Sequence, residues 1–224
     1  MDQASTRRGV DTAHIVWGNN IAILTGDLLF ARASNLVSGL GQEALQLQAK
    51  IFEQLVLGQL HETIGPIDQE DPVDHYIQVL RDKTGSLIAL AAQLGAMLSG
   101  ADSSFQKPLE EFGQSIGVAF QLIDDIIDIE STKSQSGKVS GTDLLAGVPT
   151  LPVLLLAKHD DSKSVKLLAD ISSGLDVASL PEVLERLRAH PVMEESKLET
   201  RRWAEAAIAA IAPLPKGKVR TALE

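Results

Sequence analysis

The residues best suited to chemistry are four polar side chains near the end of one predicted helix: Gln121, Asp124, Asp125 and Asp128. With about 100° between successive residues of an α-helix, they fall at roughly 40° to 140° from Phe120, on one face. Three carboxylates on one face repel each other, and the helix dipole disfavours anions near a C-terminus. Mg²⁺ would compensate, since it is typically held by one or two carboxylates together with substrate phosphates. The spacing therefore indicates a metal site for a phosphorylated substrate, with a solvated acidic surface patch as the alternative.

A loop that contains Lys133 and Lys138 follows this acidic face and ends in Gly141-Thr142-Asp143. A lysine beside an acidic metal site suits a phosphate that bridges the metal ion and the ammonium group. The pattern Gly-x-x-x-x-Gly-Lys-Ser/Thr is absent from the sequence, which argues against a P-loop nucleotide site.

Composition narrows the class of protein further. The formal net charge of -10 argues against a nucleic-acid-binding protein. With no cysteine, the chain has no disulfide, no Cys-ligated zinc and no thiolate nucleophile. Residues 1–8 lack the apolar stretch of a secretory signal, so we expect a cytoplasmic protein. The longest uncharged stretch, 84–101, is interrupted by Gly85, Ser86, Gln93 and Gly95, so we interpret it as a buried core helix and expect no transmembrane segment.

The elements that must position the acidic face are all helical. The chain is rich in Leu and Ala and shows no sustained alternation of apolar and polar residues, which indicates an all-α fold. The predicted helices span 14–38, 42–63, 72–81, 83–99, 106–130, 150–157, 162–172, 180–189 and 194–212. In the helix over 106–130, the predicted core stripe consists of Leu109, Phe112, Ile116, Phe120, Ile123 and Ile127.

Several motifs together resemble those of trans-type isoprenyl diphosphate synthases, and the resemblance covers nearly the whole chain. In the family's order and approximate spacing, they are Arg7-Arg8-Gly9, Gly26-Asp27-Leu28-Leu29-Phe30-Ala31, Lys83-Thr84-Gly85, Phe120-Gln121-Leu122-Ile123-Asp124-Asp125-Ile126-Ile127-Asp128 and Gly137-Lys138-Val139-Ser140-Gly141-Thr142-Asp143. The resemblance implies an all-α helical bundle around a central cavity. It also implies that isopentenyl diphosphate elongates an allylic prenyl diphosphate, with Mg²⁺ as the cofactor and a homodimer as the assembly.

The resemblance also implies a role for individual residues. Metal ligands would be Asp124, Asp125 and Asp128, with Asp2 as a further candidate. Diphosphates would be bound by Arg7, Arg8, Lys83 and Lys138, and Thr84 and Gln121 would lie beside the reacting allylic carbon. These roles fit the chemistry, because cations neutralise the departing diphosphate and an apolar pocket protects the allylic carbocation from water.

Both ends of the sequence depart from the family pattern. The chain begins at Met1-Asp2, where the family has a first DDxxD motif preceded by several helices, and 214–224 resembles only the start of the family's last helix. We therefore expect a single helical domain over residues 1–224, truncated at both ends, with weak prenyltransferase activity. Two alternatives stay open: a non-catalytic subunit or decayed homologue that partners a full-length synthase, and a metal-dependent terpene cyclase.

Overall fold

Helices with the predicted apolar spacing make up most of the structure, a computed structural model that describes residues 5–7, 9–131 and 140–224. The all-α prediction is confirmed. Contacts divide the chain into two units, Met1–Lys50 and Ile51–Glu224, which are described separately. The single domain expected over residues 1–224 therefore stays a prediction.

The first unit contains a short strand pair followed by helices. Strands β1, Thr6–Arg7, and β2, Val10–Asp11, pair antiparallel. Helices α1, Ala13–Trp17, and α2, Asn19–Ser38, follow, and α3, Gln42–Ile64, begins in this unit and ends in the second. The sequence predicted one helix over 14–38, but the chain breaks at Gly18, whose φ of 81° lies in the left-handed region that glycine adopts readily.

The described elements of the second unit are all helical. Its later elements are α4, Pro72–Leu80; a π-helical turn, Arg81–Gly85; α5, Ser86–Leu98; a 3₁₀ turn, Ser103–Phe105; α6, Gln106–Glu130; α7, Thr142–Leu145; α8, Leu151–Leu156; α9, Ser162–Ser172; α10, Leu180–Arg188; α11, Val192–Ala210; and α12, Lys218–Leu223. The start of α4 is fixed by Asp71, whose side chain accepts the backbone N–H groups of Val73 and Asp74. Pro72 then occupies the first helical position, where its fixed φ suits a helix.

Helix α5 packs closely along α6 through glycines. A Cβ added at Gly113 would lie 2.3 Å from Cα of Ala89, and one at Gly117 would lie 2.5 Å from Cα of Gly85. These distances leave no room for a side chain, so only glycine permits this approach. Gly85 ends the π-helical turn, and the contact with Gly117 therefore fixes that turn against α6.

The predicted core stripe of α6 is only partly correct. Leu109 and Phe112 are buried, with 7% and 6% of their surface exposed. The C-terminal end of the stripe is exposed, by 59% at Phe120, 40% at Ile123 and 48% at Ile127. The C-terminal half of α6 instead buries Val118, Leu122, Ile126 and Ile129 against its neighbours. Apolar residues lie on two faces of this half-helix, and their spacing alone does not say which face other helices cover.

One helix among the described residues is long and apolar enough to cross a membrane. It is α2, Asn19–Ser38, near the N-terminus, and none of its most apolar window is buried. Length and composition alone are a weak indication, because core helices and signal sequences meet the same criteria. The uncharged stretch over 84–101 includes α5, which packs against α6 and buries Ser86, Ala89, Gln93 and Ala96. The core-helix interpretation of that stretch is therefore confirmed.

Candidate active site

The three aspartates predicted as metal ligands lie on the last turns of α6 in different environments. Asp124 is exposed, Asp128 is partly buried, and Asp125 is 6% exposed. Asp125 lies on the covered side of the helix. Its neighbour Ile126 packs in the core, and so does Leu122, about one turn earlier on the same side. The predicted acidic face therefore extends from solvent into the protein.

The buried carboxylate of Asp125 is held by a tyrosine from α4. The Tyr76 hydroxyl donates a hydrogen bond of 2.6 Å to Oδ2 of Asp125. Burial raises the pKa of Asp125 to about 7, and the negative charges of Asp143 and Asp124 act in the same direction, whereas the Tyr76 hydrogen bond lowers it. Burial, followed by the charge of Asp125, raises the pKa of the Tyr76 hydroxyl, which therefore stays protonated and donates.

Asp128 connects α6 to the segment that begins after the undescribed residues. Its Oδ1 accepts the Thr142 hydroxyl at 3.0 Å and the Thr142 backbone N–H at 3.3 Å, and its Oδ2 accepts the Asp143 backbone N–H at 3.2 Å. Burial raises the pKa of Asp143, and the nearby charges of Asp128 and Asp124 raise it further. Four carboxylates, including Asp125, therefore influence one another at this end of α6.

The donor set fits a hard divalent cation chemically, but it is not a preformed cage. Among residues 5–7, 9–131 and 140–224, no group of three or more Asp, Glu or His side chains has an arrangement that could hold a metal ion. The hydrogen bond from Tyr76 directs Asp125 toward α4, and the hydrogen bond from Thr142 directs Asp128 toward the start of α7. Mg²⁺ commonly uses only one or two carboxylates, with phosphate oxygens and water completing its shell, so this arrangement fits an ion that arrives with its substrate.

The π-helical turn carries two of the other predicted residues, Lys83 and Thr84, and its backbone lies against α6. A Cβ at Gly117 would lie 3.1 Å from the carbonyl carbon of Thr84, and Gln121 follows one turn later on the same side of α6. Lys83 extends from the same turn and donates a hydrogen bond of 2.5 Å from Nζ to Oε2 of Glu62 on α3. The structure thus brings Lys83, Thr84 and Gln121 to one region of the second unit.

Some of the predicted site residues belong to parts of the chain that the structure does not describe. Asp2, Arg8 and Lys138 lie outside the described residues, as does Lys133. Arg7 is described only as part of strand β1. Their implied roles in metal and diphosphate binding stay predictions.

The sequence analysis assigned no role to Tyr76, Asp143 or Glu62. Tyr76 is the only tyrosine in the chain, but its sequence position gives no sign of a partner 49 residues away. The sequence analysis named Asp143 only as the last residue of a motif. In the structure, its negative charge raises the pKa of Asp125 and that of Tyr76. These three residues are identified by their contacts with distant elements, which the spacing of apolar residues in the sequence does not predict.

A separate apolar cavity of about 630 Å³ lies between α5, the first turns of α6 and the C-terminal segment. Its lining includes Ala92, Gly95, Leu109, Leu214 and Leu223. None of the aspartates at the end of α6 lines it, so this cavity is distinct from the candidate active site.

Comparisons with known proteins agree with this arrangement. The family model for polyprenyl synthetase matches residues 1–187. A nonaprenyl diphosphate synthase of Mycobacterium tuberculosis is 43% identical over 224 residues, which is all of this chain and 67% of that protein. The crystal structure of a geranylgeranyl pyrophosphate synthase from Corynebacterium glutamicum, complexed with calcium and isoprenyl diphosphate, superposes with a TM-score of 0.85 at 40% identity, covering 95% of this chain and 66% of that one. A polyprenyl synthase from Caulobacter crescentus, in the same kind of complex, gives 0.86 at 29% identity, covering 98% of this chain and 68% of that one. The chain spans about two thirds of the length of these relatives.

Proposed function

The chain belongs to the polyprenyl synthetase family, as its motifs predicted, and we propose that it acts as a prenyltransferase that condenses isopentenyl diphosphate with an allylic prenyl diphosphate. The relatives named above are synthases of prenyl diphosphates, and two of them were crystallised with a divalent cation and isoprenyl diphosphate. The observation that carries the proposal is the clustering of Asp124, Asp125 and Asp128 on the last turns of α6, where Asp128 also accepts the backbone N–H of Asp143.

These carboxylates suit the binding of a metal–diphosphate complex rather than of the diphosphate alone. The negative charge of this cluster would repel a diphosphate anion, so a cation must lie between the two. Asp124, which is exposed, and Asp128 would hold Mg²⁺, and Asp125 would contribute once the ion offsets the cost of its buried charge. When bound, Mg²⁺ would neutralise the charge that develops on the departing diphosphate.

The remaining residues of the site would bind and orient the substrate. Lys83 would contribute a positive charge to the same diphosphate, and Thr84 and Gln121 would direct their polar groups toward the allylic carbon. Tyr76 holds Asp125 in one orientation through its hydrogen bond. Arg7, Arg8 and Lys138 complete the proposed diphosphate-binding set, by the resemblance alone.

Incorporation of labelled isopentenyl diphosphate into longer prenyl diphosphates tests this function. We expect product only when an allylic diphosphate and Mg²⁺ are both present, and we expect Asp124→Asn to abolish it. Release of diphosphate from the allylic substrate without any isopentenyl diphosphate would instead identify a cyclase or lyase. Wild-type turnover by Asp124→Asn would contradict the proposal.

A second candidate is a subunit that binds another synthase chain. Within the first unit, α2 exposes large apolar residues, among them Leu24, Leu28 and Leu29 at 66%, 70% and 65%. Exposed apolar surfaces of this kind mark interaction sites, which supports a homodimer or a partner chain as its cover. Light scattering of the purified chain, alone and mixed with a full-length relative, separates these outcomes.

A cytoplasmic location is part of the proposal and rests on the sequence.

A further inference from the structure

One face of α3 contacts the π-helical turn at three positions spaced one turn apart. Gln54, Gly58 and Glu62 follow each other at intervals of four residues, so they lie on the same side of the helix. All three contact Asp82 or Lys83, two consecutive residues of the turn. We call Gln54, Gly58 and Glu62 the α3 cradle.

The first two positions of the cradle hold the turn at Asp82. Gln54 donates a hydrogen bond of 2.8 Å to Oδ1 of Asp82, and Gln78 of α4 donates another of 2.9 Å to the same atom. Asp82 is 6% exposed, so these bonds satisfy a carboxylate that water barely reaches. A Cβ at Gly58 would lie 2.6 Å from Cβ of Asp82 and 3.2 Å from Cγ of Lys83, so only glycine allows α3 to approach this closely.

The third position holds the Lys83 ammonium group. Nζ of Lys83 lies 2.5 Å from Oε2 of Glu62, and Nε2 of Gln59 donates to the same oxygen at 2.7 Å. The Lys83 side chain is 28% exposed and that of Glu62 46%, so the pair lies at the edge of the protein, where a solute can reach it. The charge of Glu62 also acts on Tyr76, the tyrosine that holds Asp125. Nε2 of His75, the residue before Tyr76, lies 3.2 Å from the carbonyl oxygen of His61, the residue before Glu62, so this end of α3 lies against the part of α4 that holds Asp125.

We propose that Glu62 is a positioning residue that orders the Lys83 ammonium group for an incoming diphosphate. This inference rests on the proposed function, because it takes Lys83 as a diphosphate ligand. A lysine ammonium group has three N–H donors, and Glu62 accepts one of them. No second side-chain acceptor of Nζ lies within residues 5–7, 9–131 and 140–224, so the others can bind phosphate oxygens without separating the pair.

The benefit to binding is a smaller loss of side-chain freedom. A lysine carries four rotatable carbon bonds, and its ordering opposes binding when it occurs only in the complex. Glu62 imposes that order beforehand, while the Asp82 contacts fix the point from which Lys83 extends. Without the carboxylate, Nζ would lose the hydrogen bond that selects one of its rotamers.

Titration calorimetry with inorganic diphosphate and Mg²⁺ tests this role on the purified chain. For Glu62→Gln we expect diphosphate to bind about three- to tenfold more weakly, the effect of ordering one long side chain. Glu62→Asp keeps the negative charge and should restore part of the affinity, because Lys83 can extend to meet it. Glu53→Gln is the matched control, since it removes one exposed carboxylate from the same helix, and it should bind like the unmodified chain.

A chemical measurement checks the contact without any ligand. Acetic anhydride, with digestion and mass spectrometry, reports the accessibility of each lysine amine. In Glu62→Gln we expect Lys83 to react several-fold faster than in the unmodified chain, while the exposed Lys163 reacts at an unchanged rate. Equal Lys83 rates in the two proteins would overturn the proposed positioning.

The binding outcomes also separate the two proposals. If the unmodified chain binds diphosphate with Mg²⁺ and Glu62→Gln binds it equally well or more tightly, the positioning role is wrong and the proposed function stands. If the unmodified chain does not bind diphosphate at all, the proposed function fails.

Discussion

Replacing Gly117 by alanine tests whether the close approach of α6 and the π-helical turn determines the fold of the site. The added Cβ would lie 2.5 Å from Cα and 2.7 Å from N of Gly85. Carbon atoms pack best at about 3.5–4.0 Å, so the two elements must separate by roughly 1 Å. The opposing atoms belong to the backbone and cannot rotate away. Such overpacking costs about 1–3 kcal/mol, against which alanine gains up to about 1 kcal/mol over glycine in a helix.

We therefore expect Gly117→Ala to lower the free energy of unfolding by about 1–2 kcal/mol. Urea unfolding followed by circular dichroism measures this difference. Gly95→Ala is the matched control, because Gly95 is also helical but a Cβ there meets nothing within 4 Å. It should raise the stability by up to about 1 kcal/mol. Equal stabilities for the two variants would refute the close contact and, with it, the proposed placement of Lys83 and Thr84 beside α6.

Three further predictions concern the acidic end of α6. In EDTA, Asp125 should reduce the free energy of unfolding as pH rises from 3.8 through about 7, by on the order of 4 kcal/mol at most, because its pKa is higher in the folded chain than in the unfolded chain. Asp125→Asn should remove this contribution between pH 5 and pH 8 in urea unfolding and leave that of Asp143, whose pKa burial also raises. Tyr76→Phe should lower the free energy of unfolding by about 1.5–3 kcal/mol at pH 8, where it removes a hydrogen bond to a charged group; an unchanged midpoint would contradict the contact. Arg188 donates hydrogen bonds of 2.7 and 3.1 Å to two carbonyl groups near the end of α6. Arg188→Ala should therefore lower the free energy of unfolding by about 1–2 kcal/mol. Arg201 is exposed, so Arg201→Ala should change that free energy by less than about 0.5 kcal/mol.

Periodicity predicted the helices of this chain well because most of them have one covered face. The helix over 106–130 was predicted with the bounds that the structure shows, and so was the helix over 162–172. The predicted gap between helices near residue 82 does not exist, since the π-helical turn joins α4 to α5. One extra residue in a helical turn leaves the local composition unchanged, so apolar spacing does not reveal it.

The candidate site was predicted by residue type but not by environment. Helical geometry put Asp124, Asp125 and Asp128 on one face, and their mutual electrostatic influence agrees with that. It did not predict that Asp125 is buried, because burial depends on Tyr76 and on the helices that cover Leu122 and Ile126. Phe120, taken as core, is instead 59% exposed for the same reason. Contacts between distant elements decide which face of a helix is covered.

Calorimetric binding of a non-hydrolysable allylic thiolodiphosphate tests most directly whether the acidic end of α6 binds a metal–diphosphate complex. We predict binding in the presence of Mg²⁺ and none in EDTA. Asp124→Asn should weaken it by at least about tenfold, which corresponds to roughly 1.4 kcal/mol. Asp160→Asn, which removes an exposed carboxylate from the loop after α8, should leave it unchanged. Equal binding with and without Mg²⁺, or by Asp124→Asn and the unmodified chain, would contradict the account.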